Sequence, residues 1–262
     1  MKIVIFTGNS VRHKFVANSL AKEVDDCLII SECNSSDSFS DQSNSNTSIR
    51  NHFNLRYDTE KQFFSGNDFF DGNVLPILYK EVNLQFVFEL VQKFNPDIMF
   101  VFGSSIIKEP LLSLTPNKFV NLHLGISPYY RGSGTNFWPF INNELEFVGS
   151  TLLHLDPGID TGDIITHVRP KFEKRDNVHT IGCKVIQEST KQMINIIDMI
   201  KNDRILPRVK QWSVSSERHY KMKDFNEKIL NQYYKNLENG IVEEFVNQNK
   251  IELKLINMDK YQ

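Results

Sequence analysis

The chain opens on a strand–helix–strand unit, and that unit restricts the fold more than any other feature. Lys2 to Phe6 is a short apolar run that breaks at Thr7-Gly8 and reads as a buried strand. Ser10 or Asn9 caps a helix predicted from about Val11 to Glu23, with Phe15, Leu20 and Val24 on its inner side. Asp26 to Ile30 reads as the second strand. A strand, a crossing helix and a second strand imply an α/β protein with a mostly parallel sheet. With 262 residues, 40% of them hydrophobic, the chain can bury one such core and still carry a short extension.

The sheet pattern resumes later. Asp97 to Phe102 reads as a buried strand, and Phe119 to Leu124 as the next. Side chains alternate faces along a strand. Val120, Leu122 and Leu124 therefore share one face, and Asn121 and His123 share the other. Gly125 and Pro128 end the strand. Polar side chains at the C-terminal end of a strand lie where open parallel α/β sheets bind ligands. An isolated Asn-x-His is more often a pair of buried polar groups satisfied by backbone. A second motif changes that balance: Asp156-Pro157-Gly158-Ile159-Asp160-Thr161-Gly162. An amide can hold an oxyanion, an imidazole can move a proton near neutral pH, and a carboxylate can orient that imidazole. These are the side chains needed to move a one-carbon acyl group onto an amine.

Between these landmarks the pattern is mixed. Ser31 to Ser48 is dominated by serine, asparagine and aspartate, and residues 31–49 are expected to be a flexible insertion. Asn51 to Phe64 carries aromatic residues at helical spacing, which reads as core. Ile77 to Phe94 is predicted as one amphipathic helix marked by Val82, Phe86, Phe88, Leu90 and Val91. A helix is also expected after Pro110, and a short one over Gly134 to Ile141. Strands are expected at Phe147 to Leu155 and Asp163 to Val168. A long helix runs from Asp176 to about Asn202, and another lies near Asn226 to Asn239. The expected division is a catalytic domain over 1–205 and a small C-terminal extension over 206–262.

The motifs together resemble those of the formyltransferases that use N10-formyltetrahydrofolate. The resemblance rests on Asn121-Leu122-His123, Pro128-Tyr129-Tyr130-Arg131-Gly132, Thr151-Leu152-Leu153-His154 and Gly158 to Ile165, and it extends over roughly residues 1 to 205. That family includes enzymes acting on glycinamide ribonucleotide, on methionyl-tRNA and on amino sugars of surface polysaccharides. Ser127 departs from the leucine usual before the proline, and residues 32 to 73 match poorly. The resemblance implies a Rossmann-like formyltransferase fold and three catalytic residues. Asn121 would donate to the oxyanion, His123 would handle the amine proton, and Asp160 would fix His123 and relay a proton toward the leaving nitrogen. It also implies a pterin site at the Gly103–Ile107 and Gly158-Ile159-Asp160 loops, with Ser105, Ile107, Gly158 and Ile159 as the matching cofactor-binding positions. For the isoleucines, plain core packing is the competing reading.

Candidate substrate-binding residues are Asn9, Ser10 and Arg12, at the start of the first helix. Helix N-termini attract anions. In the purine enzyme of the family a glycine-rich version of this turn holds a phosphate, whereas here only Gly8 remains. Arg12 and Lys14 are candidates for a nucleotide-sugar pyrophosphate, with solvated helix charges as the alternative. The tail run Tyr220-Lys221-Met222-Lys223-Asp224-Phe225 resembles those of sugar formyltransferases, and the tail is too short for the β-barrel that methionyl-tRNA enzymes carry there.

Composition narrows the partners. Lys and Arg number 30 against 32 Asp and Glu, so nothing suggests a nucleic-acid footprint. The three cysteines, Cys27, Cys33 and Cys183, lack metal-like spacing with histidines and read as reduced thiols. No metal site is expected, and His154, His167, His179 and His219 read as structural. The first strand does not read as a signal peptide, no segment is apolar enough for a membrane span, and the cytoplasm is the expected compartment. The leading expectation is formylation of the primary amine of a nucleotide-linked amino sugar for surface polysaccharide (lipopolysaccharide) synthesis. Formylation of another small amine such as a purine precursor, a formyltetrahydrofolate hydrolase and a non-catalytic binding protein stay open, as does a homodimer built on the tail.

Overall fold

A computed structural model of the protein describes residues 1–33, 46–114, 118–215, 217–248 and 253–261. The opening unit forms as expected: β1 (Lys2–Gly8), α1 (Val11–Ala21) and β2 (Asp26–Cys33). β1 and β2 pair in parallel from Lys2↔Asp26 to Gly8↔Glu32. β4 (Ile98–Phe102) lies parallel on the other side of β1, and β5 (Phe119–His123) lies parallel beyond it. With β3 (Asn73–Leu78), β7 (Ser150–His154) and β8 (Ile164–Val168), the sheet has seven strands in the order β3-β2-β1-β4-β5-β7-β8. β7 and β8 run antiparallel, so the sheet is mostly parallel with an antiparallel edge.

The central strands bury both faces because neighbouring apolar residues serve different layers. Ile3, Ile5, Ile29, Phe100, Val120 and Leu122 pack with Val16, Ala17 and Leu20 of α1 and with Ile186, Met193 and Ile197 of α5 (Val178–Lys201). Val4, Phe6, Ile30, Met99 and Val101 pack on the opposite face with Val87 and Val91 of α3 (Gln85–Phe94). A third cluster joins Tyr130, Phe137, Trp138 and Phe140 to Val178, Ile181 and Val185. Leu230 and Tyr233 of α6 (Glu227–Glu238) and Ile241 and Val242 of α7 (Ile241–Asn247) complete it. The C-terminal helices thus pack on α4 (Trp138–Asn142) and on α5 rather than standing apart.

Several local expectations need correction. The stretch from Ile77 is not one helix. Asn73–Leu78 forms edge strand β3 against β2, and Pro76 is tolerated because an edge strand can spare an N–H. Lys80 then adopts a left-handed conformation at φ 71°, Glu81–Asn83 make one 3-10 turn, and the helix begins only at Gln85. Val87 and Val91, not Phe86, are its buried positions. Pro110 to Ser113 forms turns where a helix was expected. Phe147 closes a 3-10 turn, and the strand starts at Ser150. Of the expected insertion over 31–49, residues 34–45 lie outside the described residues. Ser31–Cys33 complete β2. Asn46 caps α2 (Thr47–Phe63), its side chain accepting from Ser48 N and Ile49 N.

A second, two-stranded sheet pairs β6 (Tyr130–Gly132) with β9 (Arg218–Tyr220) of the tail. A side chain is barred at Gly132, which sits at φ +90° with Tyr220 O only 2.0 Å from where a Cβ would stand.

Candidate active site

β5 ends at the C-terminal edge of the sheet, and its last residues point to the loop between β7 and β8. His123 Nδ1 lies 3.2 Å from Asp160 Oδ2. Asn121 Nδ2 donates to the other carboxylate oxygen, Oδ1, at 3.2 Å. His123 is buried, and its Nε2 stands 3.3 Å from the Tyr130 carbonyl. The alternation along β5 therefore brings amide and imidazole onto one carboxylate. Asp160 is held in the left-handed region at φ 54°, uncommon for a residue other than glycine. Around it the loop is self-tied, since Asp156 Oδ1 accepts from Gly158 N at 3.1 Å and from Thr161 Oγ1 at 2.8 Å.

The three side chains line a cavity of about 430 Å³, a volume suited to a small-molecule ligand. Its far wall joins Arg12, a candidate from the sequence, to His13, His52, Arg56, Glu60 and His179, none of which the sequence marked as a site residue. His52, Arg56 and Glu60 lie one helical turn apart along α2, and Arg12 and His13 come from α1. Arg12 Nη1 at 2.7 Å and Arg56 Nε at 2.8 Å both bond Glu60 Oε1. His179, at the start of α5, lies against His52 with ring centroids 4.4 Å apart and planes inclined by 52°, and its Nε2 is buried without a partner. Four-residue spacing of His52, Arg56 and Glu60 was the available signal. It was obscured by the aromatic residues interleaved with it. Trp138 at the start of α4, and Lys221 and Phe225 of the tail, close the cavity.

The other sequence candidates are spread more widely. Arg12 faces the cavity but is tied to Glu60. Asn9 and Ser10 do not line it, and Ser10 Oγ instead meets His13 Nδ1 at 2.8 Å. Ser105 donates its N–H to the buried Glu32 carboxylate at 2.7 Å, and its own Oγ is buried without a partner. Ile107 is packed in the core. Gly158 and Ile159 are exposed at the outer side of the Asp160 loop, outside the cavity lining. Lys14 points away, donating to Asp68 O at 2.7 Å. Among the described residues no group of three His, Cys, Asp or Glu is placed to hold a metal ion, and no helix is long and apolar enough to cross a membrane.

Burial makes the cavity wall acid-sensitive. Desolvation pushes His13 and His52 down from 6.5 to about 4. His179 falls to about 3 through burial and then the nearby His52 and Arg56, against the pull of Glu60. Below an ordinary imidazole value the unfolded chain takes up protons that these folded-state histidines refuse, so protonation favours unfolding. Their contribution to stability is fully present above about pH 6.5 and is lost as pH falls toward about 4. The melting midpoint should decline between about pH 6.5 and 5, and His179→Asn should flatten that decline. A midpoint that is level across this window would show that the histidines charge without cost.

A mostly parallel α/β sheet with an amide, an imidazole and a carboxylate converging beyond its strand ends is a layout suited to acyl-group transfer. Comparison with known proteins is more specific. Residues 1–197 match the formyl transferase family, and the chain belongs to it. A methionyl-tRNA formyltransferase of Desulforamulus reducens is 32% identical over 124 residues, covering 47% of this chain and 38% of that protein. The chain therefore spans less than half the length of this curated relative in the match. Among solved structures, the phosphoribosylglycinamide formyltransferase of Anaplasma phagocytophilum aligns with TM-score 0.57 at 14% identity, over 85% of this chain and 98% of that one. The N-formyltransferase of Helicobacter canadensis, solved with folinic acid and dTDP-3-aminofucose, aligns with TM-score 0.57 at 18% identity, over 90% and 81%. At these identities the structural likeness speaks for the shared Rossmann-like formyltransferase fold.

Proposed function

We propose that the protein transfers a formyl group from N10-formyltetrahydrofolate to the primary amine of an amino sugar carried on a nucleoside diphosphate, for surface polysaccharide synthesis. The observation that carries this reading is the convergence of Asn121 and His123 on the Asp160 carboxylate in the cavity wall. Attack of a neutral amine on the formyl carbon places negative charge on its oxygen, and the Asn121 amide is a donor for that charge. The amine must lose a proton, which His123 accepts, and the leaving nitrogen must gain one. Asp160 holds the imidazole in orientation and compensates its charge. The folate positions that the resemblance implies keep groups in reserve: the Ser105 hydroxyl is a buried polar atom with no protein partner, and Ile159 is exposed.

The far wall supports a sugar nucleotide. Two guanidinium groups share one carboxylate while the neighbouring histidines are neutral, so Arg12 and Arg56 leave one positive charge in excess. That excess suits a phosphate-bearing acceptor. The free thiols of Cys27, Cys33 and Cys183 suit action in the reducing cytoplasm.

The curated relative favours a second reading, formylation of methionyl-tRNA. The net charge of −2 weighs against it, because a tRNA surface calls for a basic face. The deciding assay supplies N10-formyltetrahydrofolate with nucleotide-linked amino sugars, dTDP-3-aminofucose among them, and separately with methionyl-tRNA. One formyl mass added to one sugar nucleotide is the expected result. Formylated methionyl-tRNA with silence across the sugars would replace this reading by the second. Folate release without any formylated product would mark a hydrolase.

A further inference from the structure

The C-terminal segment touches both loops that hold His123, and one side chain makes the critical contacts. Gln211 Nε2 donates to the Asp160 carbonyl at 2.8 Å and to the Gly162 carbonyl at 2.9 Å. Its Oε1 accepts from Arg131 Nη2 at 2.8 Å, and Arg131 in turn faces Glu217 at 3.2 Å. Both ends of the carboxamide are therefore in use. The segment is anchored just before this residue: Val209 and Ile164 exchange backbone bonds of 3.0 and 2.8 Å at the start of β8. It is anchored again after it, where β9 pairs with β6 and Arg218 N donates to Tyr129 O at 2.8 Å.

We propose that Gln211 is a positioning residue for the reaction: it locks the Asp160–Thr161 and Gly162–Asp163 peptide planes and so fixes where the Asp160 carboxylate points. The inference rests on the catalytic reading of Asp160 above. Its physical basis is the left-handed backbone of Asp160, a conformation that persists in a residue with a Cβ only when surrounding contacts over-determine it. The bonds within the loop do not reach the Asp160 or Gly162 carbonyls, and Gln211 supplies one donor for both. On the other side of the imidazole, the Tyr130 carbonyl that faces His123 Nε2 belongs to β6, which the tail holds through β9. The extension after Pro207 thus braces both groups that orient the imidazole.

Two variants and two measurements test this on the full chain. Gln211→Met keeps the length and loses both polar atoms, while Gln211→Glu keeps an acceptor for Arg131 and replaces the donors by an anionic oxygen that the two carbonyls repel. Hydrogen exchange should be at least about threefold faster in the peptide spanning residues 156–163 in both variants, with little change in β1 and β4. In turnover with N10-formyltetrahydrofolate and dTDP-3-aminofucose, kcat should fall about 10- to 100-fold while KM for each substrate stays within about twofold. Placed on Asp160→Asn, Gln211→Met should cost almost nothing further, because the group it positions is already disabled. Native exchange in the 156–163 peptide of both variants overturns the proposal, and this arm needs no acceptor. An equal loss from Gln211→Met in native and Asp160→Asn backgrounds also overturns it. If Asp160→Asn itself retains wild-type turnover, the catalytic reading falls, and that failure is distinct from the failure of Gln211 alone.

Discussion

His123→Gln is expected to fold normally and to lose about 10² to 10⁴ in turnover, the usual share of a positioned general acid–base. Glutamine retains polarity and approximate size at a site that is 7% exposed, so the core around Leu122 and Val120 need not move. It cannot accept and release a proton near neutral pH. The carboxylate of Asp160 would keep Asn121 Nδ2 as a partner at 3.2 Å, so no charge is left without a contact. Asn121→Ala should cost about 10² to 10³ through loss of an oxyanion donor. The double variant should be little worse than His123→Gln, because groups that act as a unit are not additive. Turnover with the acceptor identified in the panel, together with a melting curve, separates a chemical loss from unfolding. Retention of more than a tenth of native turnover by His123→Gln would remove the imidazole from the mechanism.

The largest loss of stability is expected from Phe100→Ala. Phe100 is fully buried on β4, the middle strand of the sheet, and packs in the cluster shared with α1 and α5. Removing such a ring loses its transfer energy and leaves a cavity that a rigid sheet cannot close, a cost of about 3 to 5 kcal/mol. For a chain of this size that lowers the melting temperature by on the order of 10 °C. Phe86→Ala on α3 is the control, since that side chain is 46% exposed. It should melt within about 2 °C of the native protein. Similar melting temperatures for the two variants would show that the central sheet is not the stabilising core.

The parts legible in the sequence were those governed by local periodicity. β1 and β2 are runs of buried apolar residues, α1 buries Val16, Ala17 and Leu20 between them, and their order alone implied a parallel sheet. Alternation along β5 put Asn121 and His123 on one face, and the structure sets both against Asp160. β3 was hidden because Val74, Leu75, Ile77 and Leu78 surround a proline, and a proline reads against a strand unless the strand is known to be an edge. The neighbouring helix was extended backward over it for the same reason: nothing local marks Lys80 as left-handed.

The polar wall was hidden differently. Aromatic side chains on α2 gave that helix the look of core. Whether His52, Arg56 and Glu60 face a cavity depends on where α1, α5 and α6 come to rest. His179 read as a structural histidine, yet its Nε2 is a buried group without a partner in the cavity wall. Tertiary packing decided this, because burial and desolvation are properties of neighbours brought together from distant positions.

By itself, then, the sequence determined the strand order at the start of the chain, the residue types at the end of β5 and the carboxylate that would have to meet them. Each of these follows from a side-chain period or a short motif. Only the tertiary structure decided that Glu60 ties Arg12 to Arg56, and that the tail reaches back through Gln211 to the Asp160 loop. The Arg12–Glu60 and Gln211–Asp160 contacts join residues 48 and 51 positions apart, and no local pattern encodes a hydrogen bond across such a separation.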